Sequence, residues 1–547
     1  MPRPPDDAAD QLPPGRRPDP RPDPRERFGW HPEPELIGFD DAARSRPALE
    51  ALGAATWAAS LDYLYGEAFR RAMGEPAGYA ALRRVFYGAG PDGEAAPPAS
   101  APAGPTPSAE LLDEFRTRLA AHSLNAYHPR ALSYFTPPPL LMSIVGEVLA
   151  QVLNQGVDVW HAGPSSAFVE EEVGRWLCDL VGYGPDSFAV LTSGGVMANF
   201  MALTVARDLH LARLLGLDRP PRGRQLEGVR VYASDQAHFS IGRALDELGF
   251  PAETLRVVAS DDRFRLHGGA VAAAIAEDRA RRIVPFAICA VAGSTNTGSV
   301  DRTGELAAIA EAEGLWLHVD AAYGGGARLS RRDAGRVADL ERADSVTIDP
   351  HKWFFQAYDI GALVVRRGGD LLATFHRSPE YYRGGEAEAD AHGGSGLGDS
   401  EPLNFYQRSM EGTRRFRALK LWLSWRHLGT DGLGRLVEAN NDLAAYLARQ
   451  LAADDAFEAL PAEPDLSVVC FRHLPGGRAH AAQLDPLELD AHQDALQVAL
   501  EASGDGWLST TRLRGRTYLR AGIVNFLTVE PDIDRLLDDL RRLASGG

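Results

Sequence analysis

Seven short apolar runs, at 188–192, 229–233, 254–258, 283–291, 315–320, 345–349 and 360–365, punctuate the middle of the chain. Helix-like periodicity fills the gaps around them, at 140–155, 166–181, 196–215, 238–248 and 303–313. Runs of this length with little polar alternation suit strands buried on both faces. Helices between successive strands are the connections that parallel neighbours need. The pattern predicts an α/β domain built on a mainly parallel seven-stranded sheet. Ligands of such sheets gather beyond the carboxyl ends of the strands, so the residues that close each run deserve the closest reading.

Two runs end on chemistry. Leu315-Trp316-Leu317-His318-Val319-Asp320 closes on a carboxylate and continues into Ala321-Ala322-Tyr323. Ser345-Val346-Thr347-Ile348 leads into Asp349-Pro350-His351-Lys352, followed by the aromatic stretch Trp353-Phe354-Phe355. A lysine is usually a solvated surface charge, and an aspartate after a strand is often only a helix N-cap. Burial against apolar groups disfavours an ammonium and makes a lysine a usable amine nucleophile toward an aldehyde. A strand-end amine with a strand-end carboxylate is what a pyridoxal 5′-phosphate (PLP) site requires: one forms the imine, the other keeps the pyridine nitrogen protonated.

With these motifs the chain resembles the group II PLP-dependent amino-acid decarboxylases, from about His128 to the C-terminus. The resemblance implies PLP fold type I, a helical N-terminal arm, and a homodimer with active sites at the subunit interface. It implies an imine at Lys352, a pyridinium partner in Asp320 and a small residue, Ala322, beneath the ring. His238 matches the position that stacks on the ring, and its presence favours simple decarboxylation; by composition alone it is an ordinary core or surface histidine. Thr295 matches a cofactor-contacting threonine, although its Ser/Thr/Gly loop equally suits a plain turn. His351 carries over as a near-cofactor residue.

The turn Thr192-Ser193-Gly194-Gly195-Val196 matches the family's phosphate cradle, where glycines and a helix N-terminus meet an anion. Val196 replaces the usual Ser or Thr and removes a hydroxyl donor. Backbone donors at Gly195 and Val196 then carry more of the binding, with Ser345 a further candidate. Asp349 stands where many relatives have Asn, and a carboxylate beside a phosphate is unfavourable unless it turns away or pairs with a cation. Tyr381, in Pro379-Glu380-Tyr381-Tyr382, matches the mobile-loop tyrosine that protonates the carbon after CO2 leaves, directly or through a catalytic His238, with Tyr382 as the neighbouring alternative. The Gly-rich, acidic stretch 384–398 reads as its lid, or as a plain surface loop. Arg414 and Arg415 are expected to brace the interface or to bind an acidic group, the structural role being preferred, and His128-Pro129 to lie near the substrate pocket.

Residues 1–34, rich in Pro, Arg and Asp, read as a disordered tail; 35–139 as the helical arm, with a helical region around 48–85 and a linker at 88–108. The large PLP-binding domain is expected at 140–420 and a smaller α+β domain at 421–547. At 45% hydrophobic and 24% charged residues the composition is that of a globular protein. A net charge of −18 argues against nucleic acid or an anionic membrane as partner. Three scattered cysteines form no metal-ligand spacing, and neither a membrane-spanning run nor a signal-peptide core is visible, so a cytoplasmic location is expected. The expected activity is decarboxylation of an L-amino acid to amine and CO2, with a slight tilt toward a hydrophobic substrate, aromatic or branched aliphatic. The competing readings are oxidative deamination to an aldehyde, action on glutamate- or diaminobutyrate-type substrates, and a decayed PLP-fold binding protein.

Overall fold

The computed structural model describes residues 25–26, 29–37, 42–66, 71, 78–90, 93–377 and 403–545. Most of the expected N-terminal tail, and Tyr381, Tyr382 and the 384–398 stretch, lie outside them. By its contacts the chain forms two units, 1–125 and 126–547. The first contains helices α1 (Ala42–Tyr65), α2 (Tyr79–Tyr87) and α3 (Ser108–Glu114). The single helical region expected around 48–85 is thus two helices, and α2 stops at Gly88, whose φ of 79° is readily accessible only to glycine.

The second unit opens with α4 (Leu141–Leu153) and α5 (Pro164–Val181), then alternates strand and helix. In order these are β1 (Phe188–Thr192), α6 (Gly195–Val205), β2 (Val229–Ser234), α7 (Ser240–Glu247), β3 (Leu255–Val258), α8 (Gly268–Ala280), β4 (Val284–Val291), α9 (Thr303–Glu313), β5 (Trp316–Asp320), β6 (Ser345–Ile348) and β7 (Gly361–Val365). All seven apolar runs are strands of one sheet, ordered β1-β7-β6-β5-β4-β2-β3. Only β7 runs against its neighbours; the pairs β2–β3, β2–β4, β4–β5 and β5–β6 are parallel. Every residue of β5, β6 and β7 is buried, the polar residues of β5 and β6 included, as in a sheet covered on both faces. This is PLP fold type I.

Two helices depart from expectation. The run at 196–215 begins as α6 and passes into a wider π-helical turn at Ala206–Leu211. Helix α8 was not expected: it opens on two glycines, and its alanines carry almost no apolar periodicity. After α10 (Gly368–Phe375), the helix α11 (Ala418–Ala453) crosses the boundary drawn at 420/421, kinked at Gly429. A second, antiparallel sheet follows, ordered β10-β11-β9-β8, from β8 (Phe457–Ala459), β9 (Val468–His473), β10 (Ser509–Leu513) and β11 (Arg516–Gly522). Helices α12 (Pro486–Ser503) and α13 (Glu530–Ala544) complete it, and Leu447, Phe471, Leu519 and Leu536 belong to one buried cluster there.

Candidate active site

The carboxyl ends of β1, β2, β4, β5 and β6 open on one cavity of about 330 Å³. The turn after β1 brings Ser193 to Val196, the loop after β2 brings His238, and β4 leads to Gly293 and Thr295. Beyond β5 come Asp320, Ala322 and Tyr323; beyond β6 come Asp349, His351, Lys352 and Tyr358. Of the expected site residues, Lys352, Asp320, His238, Gly195, Val196, Thr295, Ala322 and His351 therefore share this cavity.

Ser345 does not. It starts β6, paired with His318 two residues before the Asp320–Thr347 level, and its hydroxyl bonds Trp316 Nε1 at 3.1 Å and His318 Nδ1 at 2.9 Å. Two residues of strand set it about 7 Å back from the sheet's edge, so the phosphate-contact expectation for Ser345 fails on geometry. His128 is likewise absent from the lining, and its backbone carbonyl accepts from Asn525 Nδ2 at 2.8 Å. Arg414 does brace the structure: Nη1 donates to the Val157 carbonyl and Nη2 to Glu170 Oε1 and the Leu191 carbonyl, fastening β1 to α5.

At the floor, Asp320 is nearly buried. Its Oδ1 accepts from the Ala322 N–H at 3.1 Å and its Oδ2 from Asn199 Nδ2 at 2.8 Å. His238 accepts at Nδ1 from the Ser240 hydroxyl at 2.8 Å. Desolvation draws the pKa of His238 below its ordinary value, against the opposing pull of Asp320, and so favours the neutral ring.

The opposite end is built on Gly194 and Gly195. Gly194 has φ 152° and ψ 178°, a region reserved for glycine. A Cβ on Gly195 would lie 2.9 Å from Asp349 Oδ2 and 3.3 Å from the Ala322 Cβ. The start of α6 is thus pressed against the cavity wall, with its first N–H groups available to an anion. Lys352 Nζ sits 3.0 Å from Asp349 Oδ2, while the buried Asp349 Oδ1 has no hydrogen-bond partner. The apolar setting expected for Lys352 is therefore a half-buried ion pair. His351 Nε2 lies 3.7 Å from the same carboxylate, and burial draws its pKa down. Trp353, Phe354 and Phe355 are fully buried and anchor the segment behind the lysine.

An amine at one strand end, a carboxylate at the next, a flat floor at Ala322 and a helix N-terminus across the gap fit PLP. Asp349 does not oppose the phosphate outright, because Lys352 offsets its charge. The fold and this donor set define a PLP-dependent enzyme. The pyridoxal-dependent decarboxylase conserved domain matches residues 91–474, and the chain belongs to that family. It is a PLP-dependent amino-acid decarboxylase. The aromatic-L-amino-acid decarboxylase of Bacillus atrophaeus is 31% identical over 436 residues, covering 80% of this chain and 85% of the relative. An L-2,4-diaminobutyrate decarboxylase of Rhizobium meliloti is 31% identical over 437 residues, covering 80% and 82%. The crystal structure of Oryza sativa TDC with PLP and tryptamine superposes with a TM-score of 0.80 over 92% of this chain and 98% of that one. At 23% identity that likeness concerns the fold alone.

Sequence reading passed over Asn199, Met197, Gly293, Tyr323 and Tyr358, all of which line the cavity. Asn199 had a usable signal: it stands one helical turn after Gly195, on the side that faces the sheet. Tyr358 had none. Among the described residues no helix is long and apolar enough to cross a membrane, and no cluster of side chains could hold a metal ion.

Proposed function

We propose that the protein decarboxylates a hydrophobic L-amino acid, aromatic or branched aliphatic, to its amine and CO2. The supporting observation is the composition of the cavity wall. Val196, Met197, Val291, Tyr323 and Tyr358 supply apolar and aromatic surface, and no arginine lines it among the described residues. Lys352 already faces Asp349, so a second substrate carboxylate would find no free cation there. Arg520 lies behind Thr295 and donates from Nε to the Thr295 carbonyl at 2.8 Å. The name of the Bacillus relative points the same way, while the Rhizobium relative keeps diaminobutyrate as the competitor.

In this reading PLP, when bound, supplies the electron sink that lets the bond to the departing carboxylate break. The protein's residues do the rest. Lys352 Nζ is the amine that would hold the cofactor aldehyde and give way to the substrate amine. Asp320 keeps a proton on the ring nitrogen, and its two hydrogen bonds hold the carboxylate in line. Ala322, Thr295, His238 and His351 line the cavity where they would hold the ring and its substituents, and the N–H groups of Gly195 and Val196 would receive the phosphate. Tyr381, outside the described residues, returns a proton to the carbon that lost CO2.

The same reading includes a homodimer. Leu141, Val145, Val148, Leu149 and Val152 form an exposed apolar stripe along α4, at helical spacing. Val148→Glu is expected to shift the mass seen by light scattering toward the monomer. The deciding experiment on substrate assays amine, CO2 and hydrogen peroxide from a panel of amino acids under air. Amine and CO2 in equal amounts from aromatic or branched substrates are expected. Turnover of diaminobutyrate or glutamate alone would overturn the substrate assignment, and peroxide with aldehyde would overturn the reaction type. Tyr381→Phe is expected to move product from amine toward aldehyde, with Tyr382→Phe as the control.

A further inference from the structure

One amide joins the two polar walls of the cavity. Asn199 is 1% exposed and uses every donor and acceptor it owns. Nδ2 donates to Asp320 Oδ2 at 2.8 Å and to Ser240 Oγ at 2.9 Å. Oδ1 accepts from the Thr347 hydroxyl at 2.6 Å and from His318 Nε2 at 3.0 Å. An ionised carboxylate can only accept, so the contact with Asp320 decides which end of the amide is nitrogen.

The remaining protons then follow in sequence. His318 must carry its proton on Nε2, which leaves its Nδ1 to accept from the Ser345 hydroxyl at 2.9 Å. Ser345 Oγ in turn accepts from the Trp316 indole N–H at 3.1 Å. Burial keeps His318 neutral, with its pKa drawn down to about 4. On the other side, the Ser240 backbone N–H, which can only donate, points at His238 Nδ1 from 3.4 Å and makes it an acceptor. The Ser240 hydroxyl, whose Oγ accepts from Asn199 Nδ2, gives its proton to that nitrogen at 2.8 Å. Both contacts make Nδ1 an acceptor, and the proton of His238 stays on Nε2.

We propose that Asn199 is a positioning residue that sets the proton pattern of the site. It orients Asp320 and, through Ser240, locks His238 as the neutral Nε2–H tautomer, so that His238 meets the substrate as a hydrogen-bond donor and not as a base. The inference rests on reading this cavity as the cofactor site, and it deepens that reading by giving His238 a defined protonation state. Hydrogen-bonded chains of this kind act as a unit, because each donor polarises the next.

The test reads the tautomer directly, from ring-nitrogen chemical shifts of isotope-labelled histidine in the full-length protein, with and without added PLP. The His238 signals are assigned by their loss in His238→Gln. In the parent protein Nε2 is expected to be protonated and Nδ1 bare at neutral pH. Ser240→Ala removes the hydroxyl donor alone; it should leave a mixture of tautomers and lower kcat/KM about tenfold, the loss of one hydrogen bond. Asn199→Ala should disturb His238 equally and lower kcat about 100-fold with little change in KM, because Asp320 is freed as well. In a serial chain the double variant should be no slower than Asn199→Ala. A proton on Nδ1 in the parent, an unchanged tautomer in Ser240→Ala, or penalties that multiply in the double variant would each overturn the proposal. Should Asn199→Ala fail to fold, Ser240→Ala alone decides the tautomer question. A locked tautomer in a protein that makes no amine from aromatic or branched substrates supports the lock and refutes the substrate reading, so the two failures are distinguishable.

Discussion

The two ends of the cavity are built on opposite principles. At the floor, the amide of Asn199 finds all its partners within the protein, and each oxygen of Asp320 is held by a hydrogen bond. At the glycine turn, Asp349 leaves a buried oxygen without a partner, Lys352 leans on that carboxylate, and Val196 is 40% exposed. A satisfied polar network is rigid and costs nothing further to organise, whereas an unsatisfied buried group costs about 1–3 kcal/mol until something completes it. The floor is thus organised in advance for the ring nitrogen, and the turn end is where the substrate amine would replace that of Lys352.

Substitutions at the two ends should differ in kind, and the largest effect is expected at Lys352. Lys352→Ala should abolish the borohydride-trapped adduct and lower turnover by at least about 10⁴-fold, and it should lower the urea midpoint because the buried Asp349 loses the cation that offsets its charge. A trapped adduct at another lysine would break the assignment of the turn end. Asp320→Ala should lower kcat by about 100- to 1000-fold, roughly 3–4 kcal/mol, in protein still loaded with cofactor. Comparable losses in affinity and in rate would mean that the floor binds and does not activate.

The floor should also make the fold sensitive to acid. His318 has a folded pKa near 4 against an ordinary value of 6.5. Above pH 6.5 the ring is neutral in both states and the full stability is present. As pH falls the unfolded ring takes up a proton first, so stability is lost between 6.5 and 4, by about 2 kcal/mol at pH 5. Urea unfolding at pH 7 and pH 5 includes this loss, and His318→Gln should remove its share and leave that of His473, whose partly buried ring is also drawn down to about 4. The smallest effect is expected at Val196. Val196→Ser restores a hydroxyl at the start of α6 and should tighten PLP binding by about 1 kcal/mol, roughly fivefold, with kcat unchanged. A change in kcat would show that the two ends are coupled.

The parts of the site that were legible in the sequence are those carried by strand ends. Asp320, Lys352, His238, Thr295 and the Gly194–Gly195 turn each close or follow an apolar run, and a parallel sheet delivers all such positions to one edge. Ser345 misled because it opens β6 instead of closing it, so the same rule that placed Lys352 at the edge sets Ser345 behind it. Tyr358 and Tyr323 lie beyond the strand ends in loops whose course depends on what they pack against. Helix α8 escaped notice because alanine shows little contrast between its buried and exposed faces.

By itself the sequence determined the seven strands, their alternation with helices and the chemistry at their ends, because burial on both faces and the need for crossovers write themselves into local hydrophobic pattern. Only the tertiary structure decided that β7 runs antiparallel, that Lys352 pairs with Asp349, and that one asparagine meets Asp320, Ser240, His318 and Thr347 at once. Those facts depend on residues far apart in the chain meeting at hydrogen-bond distance, and hydrogen bonds are short and directional. Hydrophobic pattern is a property of neighbours along the chain; the proton pattern of a site exists only once the chain is folded.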